Sequence, residues 1–465
     1  MKSANLLTGL FAATLATQSF GAVFEITGAT AFRKATIQSV HALYTASGAP
    51  FRFAHNKVSA DYENADFITF EGTVNVPGLG AGTVIRCSFN GSIEGLRAIA
   101  DSPASDPNFI KLSALTLTAA TPGANEPLTL VSGQVPAAQL ETAEADIAFS
   151  DTNKAISPYA SYPMAPTNAS VGVVVFSMLA SDGSTLTNVT TQQYNSLLAN
   201  GYVPKSLFTG VPADASKYVI CTGRNDGSGT RSSYLAEMGW GVANPVQQYL
   251  VVGSTASGGT TPDRFTAVQR VPANGLNIPG GSALATFDVD PGTAGTQAPS
   301  ALATSVSTVW GQSVDGNGGA FSGSVLRGHM ALKGTGVRVF DTNGSDLLGA
   351  TVEADLITWL SLNDAVTARN GGAKILAFNG VKLDDISVSG TNMSTADANK
   401  VYYGAYSAWN FQQMVRRTDA STETVALYDQ IKNAIPTNLG SAGLTISSMQ
   451  VLRALDGGPI SPKSL

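Results

Sequence analysis

Apolar positions along this chain recur with two periods. Ile37, Val40 and Tyr44 lie three and four apart before Gly48, and Leu96 and Ile99 follow Gly95 at the same spacing, as on helices with one buried face. Two later segments read the same way: Val352, Leu356, Trp359 and Leu360, closing at Asn370-Gly371-Gly372, and Leu427, Ile431 and Ile435, stopping at Pro436. Short apolar, β-branched runs between them predict strands: Ile147-Ala148-Phe149, Val171 to Phe176, Tyr218-Val219-Ile220-Cys221 and Lys374-Ile375-Leu376-Ala377-Phe378. Strands alternating with helices predict an α/β sheet. Two regions break the pattern. From about Ser102 to Glu141, β-like pieces such as Lys111 to Leu117 carry Pro-Gly punctuation, and from about Gly253 to Ser300 Gly, Thr, Ser and Pro dominate, so both read as insertions decorating the fold.

At 465 residues the chain is long enough for two or more cores, since single cores stop growing near roughly 250 to 300 residues. Charged residues make up 13%, against about 25% in an average globular protein, and Gly, Ser, Thr, Asn and Ala take their place. A net charge of -6 disfavours nucleic acid as a partner. Lys2, an apolar stretch from Leu6 to about Ala16 and a small-residue end at Ser19 to Ala22 have the layout of a secretory signal over 1–22, which predicts an exported or periplasmic protein. No cysteine stands at that junction to take a lipid, and no later run reaches the about twenty apolar residues of a membrane span. Cys87 and Cys221 could form one disulfide or stand as separate buried thiols, and their place in β-like runs favours the second.

The densest candidate chemistry is Arg224-Asn225-Asp226-Gly227-Ser228-Gly229-Thr230, between the run ending at Cys221 and the helix-like Ser232 to Met238. A strand that stops in a Gly/Ser/Thr turn and restarts as a helix leaves unpaired backbone N–H groups at the positive end of the helix dipole. Ser228 and Thr230 add hydroxyl donors, Arg224 adds a planar fork for an oxyanion, and Asp226 is placed to orient that fork. The same grammar recurs at Gly28-Ala29-Thr30-Ala31-Phe32 and at Asn90-Gly91-Ser92-Ile93-Glu94-Gly95, each following a β-like run. The plain alternative for each is a helix cap in a chain with 48 glycines.

In order and content these motifs resemble the phosphate-binding component of the high-affinity phosphate ABC transporter. Thr27 to Phe32 is similar to that family's first ligand loop, Gly91 to Gly95 to its second, Asp146-Ile147-Ala148-Phe149-Ser150-Asp151 to its strand ending in Ala-Ser-Asp, and Arg224 to Thr230 to its Arg-x-Asp-Gly-Ser-Gly-Thr loop. Asn379-Gly380-Val381 and Tyr402 to Tyr406 resemble structural segments of the same family. The resemblance implies a two-lobed α/β periplasmic-binding-protein fold of type II, each lobe a sheet flanked by helices, with lobe 1 at 23–166 and 374–465 and lobe 2 at 167–373. It implies a monomer that binds inorganic phosphate or a similar tetrahedral oxyanion and delivers it to a membrane ABC permease, without cofactor, metal or catalysis. Ligand contacts fall on Thr30, Ala31, Phe32, Ser92, Asp151, Arg224, Ser228, Gly229 and Thr230, with Thr30 ahead of Ala31 for the first hydroxyl. Asp151 would set specificity, because a carboxylate facing the ligand repels an oxyanion that has no proton to donate. Two other readings stand beside it. A phosphate-ester hydrolase using Ser92 or Ser228 lacks a recognisable base among His41, His55 and His329, and a surface or matrix interaction protein would reuse the fold with its insertions as the working surface.

Overall fold

The computed structural model describes residues 21–57, 62–114, 124–127, 135–167, 169–258, 262–271, 287–288, 296–297, 314–320, 322–384, 393–440 and 443–463. All but the last two residues of the expected signal, and much of both expected insertions, lie outside this set. Ten of the thirteen described strands of the main sheet are, in chain order, β1 (Val23–Gly28), β2 (Phe51–His55), β3 (Phe67–Gly72), β4 (Thr83–Ser88), β5 (Ile147–Ser150), β6 (Ser170–Ala180), β7 (Tyr202–Pro204), β8 (Tyr218–Cys221), β9 (Ala354–Ser361) and β10 (Trp409–Arg417). Their order across the sheet is β7, β8, β9, β6, β10, β5, β1, β4, β3, β2, with Ala124–Pro127 beyond β2. Helices flank this mixed sheet, so the chain is an α/β protein. Among them, α1 (Arg33–Ala46), α2 (Ser92–Ala100) and α3 (Gly229–Glu237) start directly after the three glycine-rich turns.

One long strand divides the sheet. Val173 to Val175 of β6 pair with β10, whereas Phe176 to Ala180 pair with β9, so β6 changes partner between Val175 and Phe176. On the first side β5 is antiparallel to β10, and β1 and β4 run parallel to β5, so all three share the direction of β6. On the second side β9 is antiparallel to β6 and β8 runs parallel to β9. The carboxyl ends of β1, β4 and β5 therefore face the carboxyl end of β8 across the point where β6 switches. In open α/β sheets such a point, outside the carboxyl ends of strands, is where backbone donors of following helices converge. Lys374–Ile375 pairs with the second half of β6, Ala377–Phe378 pairs with Asn188–Val189, and the chain rejoins the first side at β10. Tyr406 Oη donates to Phe176 O at 2.7 Å beside that return, and Trp359 and Trp409, each 1% exposed, pack at the switch.

Three sequence expectations are corrected. Leu356, Trp359 and Leu360 lie on strand β9, and the helix closing at Asn370 starts only at Leu362. Every residue of β9 is buried between β8 and β6, and an apolar run buried on both faces satisfies helical spacing by accident. The helix carrying Leu427, Ile431 and Ile435 runs Thr422–Asn438 through Pro436, which in the last turn removes only one backbone bond. Leu112–Ala114 forms a 3₁₀ turn rather than a strand.

Candidate functional site

The first two turns are locked together by backbone contacts that only glycine permits. Gly28 has φ 116°, and a Cβ there would meet Phe149 O at 2.1 Å. Gly91 has φ 126°, donates to Gly28 O at 3.0 Å and approaches Gly227 so closely that a Cβ would stand 2.7 Å from its carbonyl oxygen. Ile93 N in turn donates to Gly227 O at 3.2 Å, joining the second turn to the third. Neither α1 nor α2 has a side-chain cap, with Phe32 and Gly91 at their N-cap positions. The Phe32 ring is fully buried and stacks on Phe149 at 6.1 Å, which fixes the entry of α1 against β5.

At the centre Ser92, Asp151 and Gly229 touch. Ser92 Oγ donates to Asp151 Oδ1 and accepts from Asp151 N at 3.1 Å, and both side chains are 1% exposed. A Cβ on Gly229 would lie 1.6 Å from Asp151 Oδ1, so only a glycine lets the start of α3 come this near the carboxylate. Ser228 caps α3, its Oγ accepting from Arg231 N at 3.4 Å, which leaves its own O–H as a donor. Burial pushes the Asp151 carboxyl up to about 6, against the opposing effects of the Ser92 hydrogen bond, the Arg224 charge and the Thr230 hydroxyl. Asp151 is thus ionised at neutral pH, yet close enough to its midpoint to share a proton with a partner.

Arg224 is 2% exposed, and burial holds its guanidinium at about 10 against the attraction of Asp364 and then Asp151. Nε donates to Ala320 O at 3.1 Å and Nη1 to Thr30 Oγ1 at 3.3 Å, so this fork spans the third and first turns. Its backbone is held by Gln248 Nε2 and Arg231 Nη1, which donate to Arg224 O at 3.2 and 3.4 Å. Asp226, the expected orienting group, is buried in the same loop as Arg224, at 2% exposure. Ala31 sits with its methyl in the core, and the Thr30 hydroxyl accepts from Arg224 Nη1. Glu94 packs against Gly227, where a Cβ would meet Oε1 at 2.7 Å, and pairs with Arg97 at 3.7 Å.

The sequence reading missed the braces. Asn410 Nδ2 donates to Asp151 O at 3.1 Å and to Ser233 Oγ at 2.6 Å, and Thr152 Oγ1 donates to Gly229 O at 3.2 Å, so both bond across the two sides. Asn410 left one signal, a polar residue between Trp409 and Phe411 on a buried strand. Cys87 and Cys221, on the strands leading into the second and third turns, are buried free thiols, with Cys221 pushed up to about 12 by burial.

Helix starts, hydroxyls and one guanidinium offer hydrogen-bond donors and one carboxylate offers an acceptor, a combination chemically suited to a tetrahedral oxyanion that brings its own proton. Ser92 and Ser228, the nucleophiles a hydrolase would need, hydrogen-bond to Asp151 and to Arg231 N. Among solved structures the chain is similar to phosphate ABC transporter substrate-binding proteins. One from Clostridium perfringens, with bound phosphate, shares 9% identity over 91% of this chain and 99% of that chain at TM-score 0.39. An ABC-type phosphate transport receptor from Vibrio cholerae shares 9% over 88% and 93% at 0.37. A phosphate-binding protein from Stenotrophomonas maltophilia shares 13% over 92% of each chain at 0.36. No protein-family model and no curated protein matches the chain.

Proposed function

We propose that this chain is an exported solute-binding protein that captures inorganic phosphate between two lobes and hands it to an ABC-type importer. The observation that carries the reading is the meeting of Ser92, Asp151 and Gly229 at the switch of β6, with Arg224 reaching Thr30 over them. Lobe 1 holds β1 to β5 and β10, lobe 2 holds β7 to β9, and the chain passes between them in β6 and again just before β10. Ser92, Asp151 and Gly229 are in direct contact in the described conformation, so an oxyanion enters as the lobes part and is then bonded from both. Dihydrogen and monohydrogen phosphate each donate a proton to ionised Asp151, whereas sulfate has none and meets an uncompensated buried charge, at a cost of at least roughly 1 to 3 kcal/mol.

Titration calorimetry on refolded, ligand-stripped protein tests this. Tight one-to-one heat with phosphate and none with sulfate is expected. Absence of heat with any oxyanion would transfer support to the interaction-protein reading, and phosphate release from an ester, lost in Ser228→Ala, to the hydrolase. Scattering that shows no compaction on phosphate binding would reject the hinge.

A further inference from the structure

Residues 314–320 follow the Gly- and Thr-rich region that was expected to decorate the fold, yet they support the third turn. Gly223 to Asn225 lie beside them as a short parallel bridge. Ala320 N donates to Gly223 O at 2.8 Å, Asn225 N to Ala320 O at 3.0 Å, and Arg224 Nε to the same oxygen at 3.1 Å. A Cβ on Gly319 would stand 2.5 Å from the Arg224 carbonyl, so only glycine allows this approach. Arg231, in the first turn of α3, locks the two segments together. Its Nη1 donates to Asn317 O and, at 3.4 Å, to Arg224 O, and its Nη2 donates to Asn317 Oδ1. Asn317 Oδ1 also accepts from Val246 N at 3.2 Å, which fixes it from a third direction. Arg231 is 3% exposed and Asn317 2%. Every one of these acceptors is neutral, and among the described residues no carboxylate forms an ion pair with Arg231. A buried guanidinium without a carboxylate is costly, and a cation in the first turn of a helix opposes its dipole. A side chain that breaks two rules of stability marks a place where function sets the choice, and an anion at the start of α3 would offset both costs.

We propose that Arg231 is a positioning residue for Arg224: by tying Arg224 O to Asn317 it holds the third turn against residues 317–320, so that Ala320 O receives Nε and the Nη edge of the guanidinium is left for Thr30 and the oxyanion. This rests on the oxyanion reading of the site. Gln248 Nε2 makes a parallel link, donating to Arg224 O at 3.2 Å and to Gly318 O at 2.9 Å, so loss of Arg231 loosens the turn without releasing it. Lysine in its place keeps the charge, but a single ammonium on a shorter reach cannot replace a planar fork that spans Arg224 and Asn317. Methionine loses both the charge and the bonds.

Two measurements test this in Arg231→Lys and Arg231→Met. In ligand-free protein carrying isotope-labelled arginine, NMR hydrogen exchange at Arg224 Nε–H, assigned by its loss in Arg224→Ala, reads the bond to Ala320 O. Exchange should quicken on the order of tenfold in both variants, the size of one weakened hydrogen bond. Phosphate calorimetry then completes a double-mutant cycle. Replacing Arg231 should weaken binding on the order of tenfold when Arg224 is present and change it little in the Arg224→Ala background. Unchanged exchange at Arg224 Nε–H, or equal losses of affinity with and without Arg224, would overturn the proposal and leave Arg231 a role in stability alone. Should Arg231→Met fail to fold, Arg231→Lys carries both measurements. Wild type that takes no phosphate refutes the oxyanion reading, while the exchange rates still decide whether Arg231 holds Arg224.

Discussion

Asp151→Asn separates what this acid does for binding from what it does to stability. The carboxyl stands at about 6 in the folded protein against an ordinary 3.8, which corresponds to roughly 3 kcal/mol between its two protonation states. Because the folded value is raised, the folded state binds the proton more tightly. The acid's contribution is whole below pH 3.8 and is lost as pH rises through about 6, leaving a buried charge that opposes folding at neutral pH. Asn cannot ionise and still accepts from the Ser92 hydroxyl. Ligand-free Asp151→Asn should therefore match wild type near pH 4 and exceed it by up to about 3 kcal/mol at pH 8. Urea unfolding across this pH range measures the difference. In the same variant sulfate is no longer repelled, so phosphate loses its advantage. A variant less stable than wild type at pH 8, or a stability gap that does not grow with pH, would refute the electrostatic account of Asp151.

Three further outcomes are expected. Arg224→Ala removes the guanidinium reaching Thr30 and should weaken phosphate binding by at least roughly 1.5 to 3 kcal/mol in calorimetry, while unchanged affinity would show the site misplaced. Gly229→Ala drives a methyl to 1.6 Å from Asp151 Oδ1, so it should lower the melting temperature of the ligand-free protein; an unchanged melting temperature would exclude the described approach of α3. Cys87 and Cys221 should resist a thiol reagent in native buffer and react together only in denaturant, and labelling of either in the folded protein would contradict their burial.

The three turns were legible because each stacks independent signals: a strand-like run, glycine where φ is positive or another backbone comes close, a hydroxyl, then helical spacing. Gly28 and Gly91 show why this reading works, since their conformations and contacts exclude any side chain. Strand β9 was not legible, because burial on both faces erases the alternation that marks a half-buried strand. The braces were hidden for another reason. Ala320, Asp364 and Asn410 reach the site from distant parts of the chain, and nothing local in their sequence says which loop they will meet.

A crystal structure of the protein grown with phosphate tests the central claim most directly. The account predicts one tetrahedral ion between the lobes, with Asp151 and the Ser92 hydroxyl on one side, Arg224, Ser228 and the first N–H groups of α3 on the other, each at about 2.6 to 3.0 Å. Ser92, Asp151 and Gly229 still in mutual contact, with phosphate absent or bound elsewhere, would contradict it.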